Sequence, residues 1–273
     1  MKMSKKSKII IYVLLTLVAI YFLFPFIYMF FSAFKTEAEA VAYPPNFFPE
    51  NWNWGNFIDA WKAQPFGKFF LNSLTVTVLS AVGSMASAAV VAYVFARYNF
   101  KGKNILFMIL LSTMMIPWDV TMIPQYMEFK WFGWINTLKP LIVPSWFGSA
   151  YYIFLMRQFL ASIPRDYEEA ARIDGANDFQ IFYKIFVPIM KPSLILVGVL
   201  NMIAAWNDYL GPLIFLQDRD KYTLALGLAA FKGVHSEKII PMLCITIIMI
   251  IPPIIVFLFA QKYIVEGTSG SIK

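Results

Sequence analysis

Six stretches of almost uninterrupted apolar residues alternate with polar segments along this chain of 273 residues. Each stretch is about as long as the roughly 20 residues that a helix needs to cross about 30 Å of hydrocarbon, where unpaired backbone groups cannot face lipid. The pattern therefore predicts an all-α integral membrane protein with six transmembrane helices. The predicted spans are Ile9 to Ala33, Leu71 to Phe95, Ile105 to Ile123, Leu141 to Phe159, Ser193 to Phe215 and Ile239 to Ala260.

Some of these spans carry residues that bear on their packing. Small side chains recur at every fourth position of the second span and predict a surface that a neighbouring backbone can approach closely, without implying any chemistry. They are Ser80, Ser84, Ala88, Ala92 and Ala96. Several spans contain prolines, among them Pro117, Pro144, Pro212, Pro252 and Pro253, which a helix bundle tolerates because neighbouring groups can satisfy the freed carbonyls.

The start of the chain has two interpretations. Four lysines precede the first apolar run, and Ala38-Glu39-Ala40 follows it, as in a cleaved signal peptide. However, the run is too long for the core of a signal peptide, and the small residues lie several positions beyond it. We therefore expect an uncleaved first span.

The distribution of positive charge predicts the topology. The chain is 59% hydrophobic, only 14% charged, and carries a formal net charge of +7. Of its 23 lysines and arginines, 14 fall in the two termini, the 97–103 loop and the segment from Arg157 to Lys191. Because positive segments are retained in the cytoplasm, both termini are predicted to be cytoplasmic, with external loops near 34–69, 127–139 and 217–238. The net charge then reflects topology and anionic lipid, with no need for nucleic acid.

Three kinds of chemistry are excluded by counts and motifs. Cys244 and His235 are the single cysteine and the single histidine, so the chain has neither a disulfide framework nor a cysteine/histidine metal cluster. We interpret Cys244 as a packed thiol and assign His235 no role. No phosphate-binding G-x-x-x-x-G-K-[ST] loop occurs. Any ATP must therefore be bound by another subunit.

The most informative polar segment is the 163–192 loop, which reads as helix, turn and helix. Pro164 suits the first turn of a helix, and three acidic residues complement the positive end of its dipole. Gly175 supplies a left-handed stop, and Asn177 or Asp178 can cap a second helix. Four aromatic residues of that second helix are predicted to share one face: Phe179, Phe182, Tyr183 and Phe186. Such a unit could present a knob to another protein, or lie as an amphipathic loop on lipid.

The spacing within this loop resembles the "EAA" loop of binding-protein-dependent ABC importer permeases. Glu169-Ala170-Ala171 is followed by Gly175 six positions after the glutamate, by Ile185 ten positions later and by Pro188 three beyond that. The resemblance implies that this loop couples the permease to an ATPase. The implied coupling residues are Glu169, Ala170, Ala171, Asp174, Gly175, Ala176, Ile185 and Pro188.

Other segments resemble the carbohydrate-uptake branch, in particular the second permease subunit of maltose-type importers. The matching stretches are Met115-Ile116-Pro117 with Ile123-Pro124, Trp206-Asn207-Asp208 with Pro212-Leu213-Ile214, and residues 260–267. Asp119 and the final residues 268–273 depart from the family pattern. The resemblance implies one transmembrane domain over 1–273 in the inner membrane of a prokaryote. It also implies a sister permease, two ATPase subunits that bind ATP and magnesium, and an external solute-binding protein. The solute would be a sugar.

Polar residues inside spans suggest where the solute passes. An aspartate at the centre of a span costs about 2.5–3.5 kcal/mol to insert, so it usually faces a cavity or a partner. Asn201 and Asp208 lie seven residues apart on one line of the fifth span. Asp208 and Asp119 can face either a cavity or the wet interface, and Trp206 can stack on a sugar or be buried. The candidates for the path are Asp119, Asn201, Trp206, Asn207 and Asp208.

Two other classes of protein compete with an ABC permease. A secondary transporter would explain six spans and acids within them, but not the glycine-centred loop. A membrane-embedded enzyme would need clustered nucleophiles, metal ligands or an acid/base pair, whereas His235 and Cys244 lie in different segments. Transport without an ATPase would favour the first alternative.

The predicted topology can be tested by labelling single cysteines. Cysteines placed at Ser4, Asn177 and Ser271, in a Cys244→Ser background, should resist impermeant thiol reagents added to intact cells, because all three positions are predicted to be cytoplasmic. Ready labelling of Asn177→Cys from outside would contradict this topology. Labelling of all three sites in lysed cells is the control.

Overall fold

The computed structural model of this chain describes residues 4–231 and 238–269, which form helices and turns with no β-strand. His235 and residues 270–273 lie outside this described part. The helices are α1 (Lys5–Ser32), α2 (Glu37–Ala40), α3 (Gly55–Lys62), α4 (Phe66–Arg97), α5 (Lys103–Ser112), α6 (Trp118–Trp131), α7 (Lys139–Ile142), α8 (Ala150–Ala161), α9 (Asp166–Ile173), α10 (Asp178–Ile189), α11 (Lys191–Asn207), α12 (Leu210–Phe215), α13 (Leu224–Leu228) and α14 (Ile239–Ser269). The prediction of an all-helical chain is confirmed for these residues.

Three helices, α1, α4 and α14, are each long and apolar enough to cross a membrane. Two bent pairs pass the same test when each pair is taken together: α5 with α6 across a 98° bend, and α10 with α11 across a 71° bend. By length and composition, the described residues therefore contain three to five candidate spans. The six-span count and the cytoplasmic termini stay predictions.

The third, fourth and fifth predicted spans are not continuous helices. In the third, Ile116 is extended because it precedes Pro117, which lacks a backbone N–H and disfavours helix at the residue before it. The fourth passes through a 3₁₀ turn, Val143–Phe147, and then Gly148 at a φ of +93°. In the fifth, α11 ends where Asp208 turns extended, and α12 starts two residues later.

The chain divides into two compact units: Met1–Phe66 with Leu228–Ile250, and Gly67–Gly227 with Ile251–Lys273. The first contains α1, α2, α3 and the start of α14. The second contains most of α4, the helices up to α13, and the end of α14. That they form one transmembrane domain stays a prediction.

Within the first unit, the residues that follow α1 form an ordered segment. The Phe34 ring lies 5.0 Å from Trp52 and 4.8 Å from Trp54, measured between centroids. The side chain of Lys35 is almost completely buried, and its ammonium donates to the carbonyl of Asn46. The predicted external loop 34–69 is therefore anchored to the end of α1.

Within the second unit, α4 packs through its small residues, as predicted. Ser80, Ser84, Ala88 and Ala92 are all at most 1% exposed. Asn201 of α11 joins this surface by accepting a hydrogen bond from the Ser80 hydroxyl at 3.0 Å and donating one to Ser84 at 2.9 Å. Hydrogen bonds between apolar helices also fix their rotation and register. Asn201 is thus an anchor between α4 and α11.

Alanine substitutions at two glycines test how tightly the second unit is packed. A Cβ at Gly227 would overlap the ring of Phe69, which is fully buried and cannot move aside, whereas nothing lies within 4 Å of a Cβ at Gly67. Gly227→Ala should lower the free energy of unfolding by about 1–3 kcal/mol through overpacking. Gly67→Ala should raise it by about 0.5–1 kcal/mol, because alanine favours a helix. Equal thermal denaturation midpoints for the two purified variants would contradict this packing.

Candidate functional site

The first helix of the 163–192 loop is short and acidic at its start. α9 begins at Asp166, so Pro164 precedes the helix and does not lie in its first turn as predicted. Asp166, Glu168 and Glu169 do occupy that first turn. Their negative charge stabilises the positive end of the helix dipole.

Gly175 ends α9 in the left-handed conformation that the sequence predicts, with a φ of +80°. The N–H of Ala176 donates to the carbonyl of Ala171 at 2.9 Å, and the N–H of Gly175 donates to that of Arg172 at 3.1 Å. These two bonds form a Schellman motif, which satisfies the last carbonyls of the helix and requires a positive φ at its glycine. α9 therefore ends abruptly at Gly175.

The second helix begins at once with a capping box. The side chain of Asn177 accepts from the N–H of Gln180, and the side chain of Gln180 accepts from the N–H of Asn177, both at 2.9 Å. Arg172 and Asp178 form an ion pair of 2.6 Å across the turn. Asn177 is thus the cap, one of the two residues that the sequence allows.

The aromatic residues of α10 do not share one buried face, which corrects the prediction. Phe186 is buried, Phe182 is half-buried, and both rings lie near 5 Å from the Tyr93 ring. Phe179 and Tyr183 are exposed and stack on each other. α10 contains a π-helical turn, Ile181–Phe186, which adds a residue to the turn and shifts the register of the helix faces.

The two alanines of the loop also differ in their surroundings. Ala170 is exposed, whereas Ala171 is 6% exposed and belongs to the core formed with Phe186 and Met190. Ala171 is therefore small because its own chain covers it, and of these two implied coupling residues only Ala170 is exposed for contact with a partner.

The remaining predicted coupling residues surround a shallow groove. Glu169 and Pro188 are exposed outside it. A cavity of about 350 Å³ opens between α9 and α10 and is lined by Ala171, Asp174, Gly175, Ala176, Gln180, Lys184 and Ile185. The loop thus presents a groove beside exposed aromatic and acidic side chains.

The sequence alone gives Arg97 and Tyr98 no role beyond the positive charge of the 97–103 loop. Arg97 ends α4, and its Nε lies 3.1 Å from Glu168 Oε1 of α9. Burial raises the pKa of the Tyr98 hydroxyl, and the nearby Asp178 carboxylate acts in the same direction. The arginine directly after the small residues of α4 is the sequence feature that could have predicted the contact between Arg97 and Glu168.

Three of the five candidates for the solute path line one cavity of about 680 Å³. Asn201, Asn207 and Asp208 lie in its wall, together with aromatic and amide side chains from α6 and α12. Trp206 is 4% exposed and faces a separate apolar pocket with Pro252 and Pro253, which bears out its interpretation as a buried residue. Asp119 is exposed in the first turn of α6 and does not line the large cavity.

Asp208 has a structural role at the break between α11 and α12. Its Oδ1 accepts from the N–H of Gly211 at 3.1 Å, in the first turn of α12. A Cβ at Gly211 would overlap the other carboxylate oxygen. The carboxylate is therefore held in place while it lines the cavity.

Comparison with known proteins identifies the family. Residues 85–269 match the binding-protein-dependent transport system inner membrane component family. The chain belongs to this family. It is therefore a permease subunit of an ABC importer, with a transport role and no enzymatic one of its own.

Similar proteins extend over almost the whole chain. The arabinooligosaccharides transport system permease protein of Halalkalibacterium halodurans is 30% identical over 99% of this chain and 100% of its own. The melibiose/raffinose/stachyose import permease protein of Bacillus subtilis is 31% identical over 98% of each. The diacetylchitobiose uptake system permease protein of Streptomyces coelicolor is 29% identical over 97% of this chain and 89% of its own.

Solved structures agree with this assignment. A chain of a bacterial ABC transporter involved in the import of the acidic polysaccharide alginate superposes with a TM-score of 0.83, at 26% identity over 97% of this permease and 99% of that chain. A chain of the alginate transporter in complex with its alginate pentasaccharide-bound periplasmic protein shares the fold, with a TM-score of 0.68 at 15% identity and 93% coverage of both.

Substitution of Asp208 tests its place in the cavity. A hydrogen bond to a charged group contributes about 1.5–3 kcal/mol, so Asp208→Leu should reduce uptake of the transported solute roughly tenfold or more if this carboxylate contacts it. Asp208→Asn retains an acceptor for Gly211 and separates loss of charge from loss of the cap. Asp119→Leu, outside the cavity, should transport normally. Unchanged uptake kinetics in Asp208→Leu would remove this residue from the path.

Proposed function

We propose that this permease imports a neutral oligosaccharide that an external binding protein delivers. In this proposal it pairs with a sister permease and receives mechanical work from two ATPase subunits, which bind the ATP and magnesium. The coupling role is supported by the 163–192 loop, which forms a capped helix, turn and helix with an outward groove.

The solute class is supported by the relatives and by the cavity. Arabinooligosaccharides, the melibiose group and diacetylchitobiose are the solutes that the relatives' names give. The cavity wall combines Trp118, Gln125, Asn207 and Tyr209 with a single charged side chain, Asp208. Flat aromatic surfaces with a few fixed polar groups suit a sugar. A wall with a carboxylate and no lysine or arginine disfavours an anionic glycan such as alginate.

The outward surface of the loop suits a protein partner better than lipid. Tyr167, Ile173, Phe179 and Tyr183 are all more than half exposed. Helices that lie on anionic membranes usually carry lysine and arginine on their polar face. Here the exposed charges of the loop are mixed, with Asp166 and Glu169 beside Arg172 and Lys184. Exposed aromatic residues beside charges of both signs favour docking on another subunit.

In the same proposal, the chain is a multi-pass protein of a prokaryotic inner membrane with six spans. The loop and both termini face the cytoplasm. The bent segments α5 with α6, and α7 with α8, would each cross the bilayer as a broken span, which is tolerated where the breaks line a cavity. Trp118 and Pro144 line the large cavity at these two breaks.

Variants of the loop test the coupling role. Gly175→Val should cost about 1–2 kcal/mol in backbone strain at its positive φ, which misplaces α9 without unfolding the spans. Ala170→Trp adds bulk to an exposed position and avoids the buried Ala171. Both variants should insert in the membrane but lose ATPase co-purification, or hydrolyse ATP without uptake in reconstituted vesicles. Uptake is measured with neutral oligosaccharides and with alginate oligomers.

Gly102→Val is the matched control. Gly102 has the same φ of +80° and the same open space around a Cβ, but lies in the 97–103 loop. Backbone strain there should leave ATPase binding and uptake near wild type. Wild-type coupling in both loop variants would refute the coupling role, and preferred uptake of the alginate oligomers would refute the neutral solute.

A further inference from the structure

The guanidinium of Arg97 is enclosed at the end of α4 and paired with Glu168 of α9. The two side chains are 4% and 14% exposed, with Nε and Oε1 3.1 Å apart. Both atoms are buried, and neither has a hydrogen-bond partner among the described residues, so the two side chains meet as an ion pair. A buried pair is screened much less by salt than a surface pair.

The same guanidinium also holds two other helices. Its Nη2 donates to the carbonyls of Leu160 and Ile163, both at 2.9 Å, at the end of α8. The last carbonyls of a helix lack partners within the helix, so a cation there is well placed. Its central carbon lies 4.7 Å from the ring of Phe186 in α10. One side chain thus joins the end of α8, the first turn of α9 and the π-helical turn of α10 to α4.

On the loop side, this pair is one of few inward contacts of α9. Glu168 and Ala171 are the members of this helix that are not exposed. The other ion pair of the loop, between Arg172 and Asp178, is about half exposed on both sides and joins α9 to α10. Exposed pairs contribute little to stability. Arg97 therefore provides a polar link between α9 and α4.

On the membrane side, α4 continues from Arg97 to the large cavity. Val76 and Ser80 line that cavity, and Ser80 donates to Asn201. The 17 positions between Ser80 and Arg97 correspond to about 25 Å of helix. A displacement of α9 can therefore reach the cavity through one continuous helix.

We propose that Arg97 is a positioning residue that transmits displacement of the 163–192 loop to α4 and so to the solute cavity. This inference rests on the proposed role of the loop in contacting the ATPase. It predicts that the pair is needed for the coupling of ATP hydrolysis to uptake, beyond any need for it in folding.

A double substitution separates coupling from folding. Arg97→Met alone leaves a buried, unpaired Glu168 carboxylate, which is destabilising. Arg97→Met with Glu168→Leu removes both charges, and replacement of a buried ion pair by apolar residues is often neutral or stabilising. The double variant should therefore assemble with the ATPase and denature at a higher temperature than Arg97→Met alone, although it also lacks the hydrogen bonds to the carbonyls of Leu160 and Ile163. Its uptake per ATP should nevertheless fall roughly fivefold or more, within the usual range of coupling between sites.

A conservative variant and a control complete the experiment. Arg97→Lys keeps the charge but lacks the planar fork that bridges several acceptors, so its uptake per ATP should lie between those of the wild type and the double variant. Lys68→Met with Asp220→Leu removes a pair in the same compact unit whose side chains are 60% and 68% exposed. This control should keep wild-type coupling.

The outcomes distinguish this inference from the proposed function. Wild-type uptake per ATP in a stable, assembled double variant would overturn the role of Arg97 and leave docking by the loop intact. Failure of both the double variant and Arg97→Lys to assemble would also overturn it, since the residue would then serve folding alone. If Gly175→Val and Ala170→Trp have wild-type coupling, the proposed function itself fails.

Discussion

The need to satisfy every backbone group without water governs this structure. The chain is 59% hydrophobic, and its described residues can satisfy their backbone groups in a bilayer as helices, because a helix pairs its N–H and C=O groups internally. Where a helix ends, another group must satisfy the backbone N–H and C=O groups that are left unpaired. Asp208 does this at the start of α12, Asn177 and Gln180 at the start of α10, and Arg97 at the end of α8. The proposed coupling loop and the proposed solute cavity both lie at these interruptions.

The continuous helices could be predicted from the sequence, and the interrupted ones could not. α1, α4 and α14 follow from long apolar runs, and their ends differ from the predicted spans mainly where polar residues continue the helix. The breaks at Ile116 and after Asn207 depend on local backbone conformations that hydropathy does not register. Proline marked the first of these breaks. It did not determine it, since Pro124 and Pro252 lie inside unbroken helices.

The features of the candidate site also divide into those that could be predicted from the sequence and those that could not. The stop at Gly175 and the cap at Asn177 are local features, and both were predicted from residue type and spacing. The burial of Ala171 and the pairing of Arg97 with Glu168 join residues far apart in the sequence, so neither could be predicted from one chain without an alignment. Trp206 and Asn207 are neighbours in sequence, yet they face different cavities because successive residues of a helix point about 100° apart.

The length of α4 has a mechanical consequence. Its 32 residues extend about 48 Å, well beyond a hydrocarbon layer of about 30 Å, so part of the helix projects from the bilayer or the helix is tilted. With Asn201 holding it near Ser80, the helix can act as a lever whose pivot lies at the cavity. A rotation of about 5° there would move the Arg97 end, about 25 Å away, by about 2 Å. Because a lever works in both directions, the transmission proposed for Arg97 would also run from the cavity to the loop, so that solute arrival is sensed at the opposite end of the helix.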